Sequence, residues 1–254
     1  VAITRYDYLF WKELRDDGVI PSEPHILELG QANWYGDIDP KCLVDDVKKY
    51  ASTDDVEGLL DRLKDPGTPE EPILFIQAGV FYGALIKPVE WYAIDHNGTP
   101  KADRLDLNYP VDFRDLDVVI NTGTAEHVFN QFQFFKTAHD ACKNGGIMVH
   151  MLPAWGWLDH GFYNYHPTFV ADLAAANGYH IQKWWLYDLG ESWHHTVQQQ
   201  KYVSGIVKER GMTGSALHAV CYVKQNDEPF RMPIQGYYAG TLDPEQEIAW
   251  HKER

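Results

Sequence analysis

The chain has 254 residues, 44% of them hydrophobic, and a formal net charge of -15. That length suffices for one α/β domain with a sizeable core, and no low-complexity tract divides it. The acidic balance argues against a phosphate backbone or an anionic lipid surface as partner, because such binding draws on Lys and Arg contacts that release counterions.

The three cysteines, Cys42, Cys142 and Cys221, are odd in number and widely spaced. With neither zinc spacing nor a disulfide framework, they read as reduced, mostly buried thiols of a cytoplasmic protein. No segment reaches the length of a membrane-spanning helix, and the opening VAITRYDYLFWKELRDD is too polar for a signal peptide.

Taken in chain order, the first strand is predicted at His25 to Leu29, ending at Gly30, with Pro21 and Pro24 keeping the preceding segment extended. An acidic insertion at about 37–72 follows. Within it Ser52 to Asp55 offer helix caps, Val56, Leu59, Leu60 and Leu63 keep helical spacing, and Pro66-Gly67 stops the run, which describes a surface helix serving as a lid or brace. The apolar stretch Ile73 to Ile86 fits strand or helix, and its length favours a buried helix. Further strands are expected at Val89 to Ile94, ending at Asp95, at Ala102 to Leu107, carrying Asp106, at Leu116 to Ile120, and at Ile147 to Leu152. Between the last two, Val128, Phe132, Phe135 and Cys142 keep near-helical spacing until Asn144-Gly145-Gly146. Pro167 starts a helix running through Ala176 and closed by Asn177-Gly178, and Tyr179 to Tyr187 and Ala216 to Val223 complete seven strands. The Trp- and His-rich span Gly190 to Gly214 reads as a second lid. The alternation predicts a doubly wound, seven-stranded, mostly parallel α/β sheet in one domain over 1–254, with helical insertions at about 37–72 and 190–214.

The stretch Ile120 to Asn130, INTGTAEHVFN, carries a Gly, a Glu and a His where a hydrophobic strand breaks off before a helix. In an open α/β sheet, ligands bind beyond the carboxyl ends of the strands, so Thr122 to His127 would line a crevice. The plainer alternative is a polar loop that caps its helix.

Several segments together resemble the class I S-adenosylmethionine-dependent methyltransferases, small-molecule type, over most of His25 to Val223. HILELG resembles that family's first motif, YAIDHNG the acid that ends its second strand, and RLDLNYP the segment lining the adenine. NTGTAEHVFN with the following NGG is similar to its strand-four motif, and HGFYNYHPTFVADLAAANGYHI to a later segment of small-molecule members. The resemblance implies a Rossmann-like sheet with one strand inserted antiparallel, and S-adenosylmethionine as cofactor. It also implies cofactor contacts at Glu28, Gly30, Asp95, Asp106, Leu107, Thr122 and Gly123. Asp95 would accept from the two ribose hydroxyls, Asp106 from the adenine amino group, and Gly30 would allow close backbone approach. Each carboxylate has a structural alternative as a helix cap or turn residue. The chain departs from the family pattern in having Gln31, Ala32 and Asn33 where further glycine is common, and in placing about 65 residues between Gly30 and Asp95.

Methyl transfer to a hydroxyl needs alignment and removal of a proton, and a His is the economical base. His127 is the first candidate and His160 the second. Trp155, Trp157, Phe162, Tyr163 and Tyr165 would wall an apolar acceptor site, or pack at the sheet edge. His194-His195 with His160 and His166 invites a metal reading, but no His-Glu-x-x-His or Cys-x-x-Cys spacing is present and no metal is expected; Asp159 beside His160 keeps magnesium in view. The expected partner is a small-molecule acceptor, a sugar or secondary metabolite taking O-methylation, with no nucleic acid and no membrane; a homo-oligomer is compatible with the sequence. Two other readings stay open. A nicotinamide-dependent oxidoreductase would share the sheet but wants Gly-x-Gly-x-x-Gly after the first strand, and a non-catalytic cofactor-binding protein would keep the fold without turnover.

Overall fold

The computed structural model describes residues 1–190, 193–197 and 214–252. A short strand β1 (Ala2–Ile3) pairs in parallel with β3 (Asn33–Trp34), and helix α1 (Arg5–Asp16) lies between them in sequence. Helices α2 (Lys41–Tyr50), α3 (Val56–Arg62) and α4 (Ile73–Leu85) follow β2 (His25–Leu29) and precede β4 (Glu90–Ile94). The second half runs β5 (Leu116–Thr122), α5 (Gln131–Ala141), β6 (Cys142–Trp155), α6 (Pro167–Asn177), β7 (His180–Asp188), β8 (Trp193–Thr196) and β9 (Ala216–Val223). Helices α7 (Gly236–Ala239) and α8 (Pro244–Lys252) close the described chain.

Seven strands form one sheet in the order β4-β2-β5-β6-β9-β7-β8. β4, β2, β5 and β6 are parallel neighbours, β9 is antiparallel between β6 and β7, and β8 pairs antiparallel with β7 at the edge. β9 between β6 and β7 is the inserted antiparallel strand the resemblance implies, whereas the antiparallel β8 at the edge departs from it and leaves five parallel strands. Strand alternation divides the core between the two faces. Ile26, Val118, Ile120 and Val149 pack against α1, α2 and α4, whereas Leu27, Leu29, Val119 and Met148 pack against α5 and α6. The sheet is therefore doubly wound, as the sequence predicts. No helix among the described residues is long and apolar enough to cross a membrane.

The stretch Ile73 to Ile86 is the buried helix α4, with Phe81, Tyr82 and Leu85 inaccessible. Pro167 opens α6 and Gly178, at φ 64°, closes it. α3 has no buried residue, while α2 buries Leu43 and Val47 completely.

The structure corrects the seven strands by one. Ala102 to Leu107 is not a strand: a single parallel bridge joins Asp103 to Ile94, and the rest turns. Its polar side chains find local partners instead. The Asp106 carboxylate accepts from the Asn108 amide at 2.9 Å and Arg104 donates to the Gly98 carbonyl at 2.6 Å, and such side-chain bonds compete with a ladder. The seventh strand is β8, inside the span read as a second lid. The remainder of Gly190 to Gly214 lies largely outside the described residues. Helix α5 stops at Ala141, so Cys142 and the Asn144-Gly145-Gly146 turn belong to β6.

Helix α1 is a further addition. Thr4 and Asp7 form a reciprocal capping box, and Phe10, Trp11 and Leu14 are fully buried.

Candidate functional site

The carboxyl ends of β2, β4 and β5 meet at one rim. Glu28 pairs across β2 with Ala93 on one side and Ile120 on the other, which sets Gly30, Asp95 and Thr122 side by side. Gly30 has φ 94°, and its amide donates to the Ile94 carbonyl at 2.8 Å. A Cβ built there would collide with the Thr124 hydroxyl and lie 2.8 Å from a Val1 methyl. Glycine is thus required by space as well as by conformation.

Glu28 is 1% exposed and turns back to organise the loop. One carboxylate oxygen accepts from the Ala32 amide at 3.1 Å and the other from the Trp91 indole at 2.9 Å. Burial pushes its pKa up to about 8. The folded protein then keeps a proton that the unfolded chain releases, so the contribution of Glu28 to stability falls as pH rises from about 4.5 through 8. The melting temperature of Glu28→Gln minus that of the wild type should therefore climb between mildly acidic and mildly alkaline pH. A difference that stays flat would place the Glu28 carboxylate in its charged form throughout.

Asp95 is half-buried at the end of β4. Its oxygens accept from the Gln31 amide at 3.0 Å and the Asn97 amide at 2.7 Å, each leaving a further acceptor position. Gln31 then reaches across to Thr99, accepting from its amide at 2.7 Å and donating to its hydroxyl at 3.0 Å. Gly98 admits this clamp, since a Cβ there would fall 2.6 Å from the Gln31 side-chain oxygen. Where the family pattern has more glycine, this chain ties the two loops together. Asp106 and Asn108 form a turn joined to Asn130 at the start of α5, and Leu107 is buried.

After β5, Asn121 shapes the turn. Its side-chain oxygen accepts from the amides of Thr124 and Ala125, and the 3-10 turn Ala125–His127 follows. Thr122 is buried beside the Tyr82 hydroxyl, and Gly123 has φ 72°. The Thr124 hydroxyl is buried with no hydrogen-bond partner, a polar orphan next to Gly30.

Glu126 is 2% exposed, and burial raises its pKa to about 7. One oxygen lies 3.5 Å from Nε2 of His160 and the other is buried without a partner. Gly123 and Gly161 leave room for it, and the Phe162 amide donates to the Glu126 carbonyl at 2.7 Å, docking the loop that carries His160. The rings of His127 and His160 lie 5.0 Å apart. Partial burial and then the neighbouring His160 hold His127 below its ordinary pKa.

No family model and no curated protein matches this chain. Among solved structures it is similar to the Burkholderia thailandensis 1,6-didemethyltoxoflavin-N1-methyltransferase with bound 1,6-didemethyltoxoflavin and S-adenosylhomocysteine. The TM-score is 0.45 at 10% identity, covering 86% of this chain and 77% of that one. A SAM-dependent methyltransferase from Archaeoglobus fulgidus gives 0.44 at 12% identity, over 84% and 92% of the two chains. An S-adenosylmethionine-dependent methyltransferase from Mesorhizobium loti gives 0.43 at 11%, over 84% and 96%. The similarity is one of chain trace.

The aromatic segment after β6 divides in two. Trp155 and Trp157 donate to the carbonyls of Gly214 and Ala216 and Tyr165 is buried, so these three hold the scaffold. Phe162 is exposed and meets the exposed Phe129 edge to face at 5.8 Å, and Tyr163 donates to the Phe129 carbonyl. They form an apolar rim next to the histidines. His194 stacks on Trp185 at 3.8 Å, and it joins no metal-ligating group of three with His160 among the described residues. Gln31 and Asn121 are additions to the site, while Thr124 and Glu126 lie in the stretch Thr122 to His127 expected at the crevice and gain specific contacts here.

Proposed function

We propose that the chain is an S-adenosylmethionine-dependent methyltransferase of a small-molecule acceptor, a sugar or secondary metabolite methylated on oxygen. The observation that carries this reading is Asp95, a half-buried carboxylate at a strand end with acceptor positions left over, set beside the tight turn at Gly30. The orphaned Thr124 hydroxyl adds a polar group at the same rim that a bound adenosyl compound would satisfy. When bound, the cofactor supplies an electrophilic methyl on a cationic sulfur. Asp95 would hold the ribose, the turn at Asp106 and Leu107 would face the adenine, and Thr122 and Gly123 would border the methionine end. His127 or His160 would take the acceptor proton, and Phe129 and Phe162 would shield the acceptor from water.

Calorimetry with S-adenosylhomocysteine tests the cofactor, which should bind and raise the melting temperature. Binding of a nicotinamide dinucleotide instead would overturn the reading in favour of an oxidoreductase. Labelled S-adenosylmethionine should mark a small-molecule extract in preference to RNA, DNA or bulk protein, given the net charge of -15. His127→Ala is expected to cut turnover while leaving cofactor affinity within a few-fold, because a base acts on the transition state. Equal loss of both would give His127 a structural role.

A further inference from the structure

Glu126, His127 and His160 each offer a ligand atom, and these atoms all lie within 4.8 Å of one another. A tetrahedral ion at about 2.1 Å from its ligands needs them about 3.4 Å apart. The Glu126 oxygen and His160 Nε2, at 3.5 Å, already have that spacing, and the exposed His127 ring has freedom to close the rest.

The carboxylate is the telling member. Glu126 is 2% exposed and one of its oxygens is buried without a partner, which is costly for a carboxylate otherwise met by its own backbone amide and one imidazole. An ordinary Glu–His pair accounts for one oxygen and leaves the other, and His127, unexplained. The surroundings are built to hold this geometry. A Cβ at Gly161 would fall 2.9 Å from the Glu126 carbonyl oxygen, and Asp159 takes a left-handed φ of 59° immediately before His160.

We propose that these three residues bind a divalent transition-metal ion of the borderline class represented by Zn2+. Two imidazoles and one carboxylate suit that class, whereas Mg2+ and Ca2+ prefer sets made wholly of oxygen. Three protein ligands leave a position for water or an acceptor oxygen; with the ion bound the two imidazoles serve as ligands rather than as bases, and the ion itself would acidify a hydroxyl in the open position. The proposal is independent of the cofactor reading, since metal binding is read without S-adenosylmethionine.

The test uses chelator-stripped protein titrated with Co2+, followed by its visible d–d absorption. The wild type should take up one equivalent. Glu126→Gln, His160→Ala and His127→Ala should each weaken uptake at least about tenfold, and His166→Ala, on an exposed residue at the start of α6, should leave it unchanged. Zn2+ should displace the Co2+ and raise the melting temperature. Absence of a Co2+ spectrum in the wild type at large metal excess overturns the site. So does a spectrum that survives both Glu126→Gln and His160→Ala, which would place the ion on other histidines. If Glu126→Gln fails to fold, His160→Ala decides the question, because its side chain is 40% exposed and its loss leaves the core intact.

Discussion

Asp95→Ala is expected to weaken S-adenosylhomocysteine binding roughly a hundredfold or more. Two hydrogen bonds to a charged acceptor are worth about 1.5 to 3 kcal/mol each, and even the lower figure doubled corresponds to that loss. The same carboxylate receives the Gln31 and Asn97 amides, so the variant should also melt at a lower temperature. Asp95→Asn separates the two effects, since its oxygen still accepts from one amide but only one ribose hydroxyl retains an acceptor. Titration calorimetry of both variants, with far-ultraviolet dichroism to establish folding, makes the measurement. A folded Asp95→Ala protein that binds as tightly as the wild type removes Asp95 from the cofactor and leaves it a turn residue.

Gly30→Ala should be strongly damaging. The new methyl group meets the Thr124 hydroxyl and a Val1 methyl, at a backbone φ of 94° that L-residues avoid. Conformational strain of about 1 to 3 kcal/mol and overpacking of similar size should combine to a loss of about 2 to 6 kcal/mol. Urea denaturation measures it. Adding Thr124→Ala should recover part of the loss and leave the conformational share. If Gly30→Ala costs nothing measurable, the loop after β2 moves freely and does not define a fixed site.

The sheet was legible in the sequence where one physical signal dominated. The mostly apolar runs of β2, β5, β6 and β9 declare buried strands, and Pro167 with Gly178 marks both ends of α6. Helix α4 could be recognised by length alone, since its apolar residues surround it. The span Ala102 to Leu107 misled because its alternation resembled a strand, while Arg104 and Asp106 had nearer partners for their polar groups. Helix α1 was not expected although Thr4 and Asp7 spell a capping box, because its polar residues were weighed only against a signal peptide. At the site, Gly30, Asp95 and His127 were visible as residue types at strand ends. Gln31 was given no role, and Glu126 was noticed in its loop without one, because their roles lie in long-range contacts, to Thr99 and to His160, that no local pattern encodes.

The single bridge between Asp103 and Ile94 has a consequence for how the protein behaves at high concentration. β4 ends the sheet, and a terminal strand is a template on which another chain can add. The Asp103 carbonyl takes the Asp95 amide at 3.0 Å and its own amide goes to Ala93 at 2.8 Å, so the far end of that border is sealed by the molecule itself. The other part carries exposed Trp91 and Tyr92, with Glu90 as the guarding charge. Glu90 is thus the acidic side chain that guards the open end of the border, and stacking of molecules edge on edge is the failure its neutralisation invites.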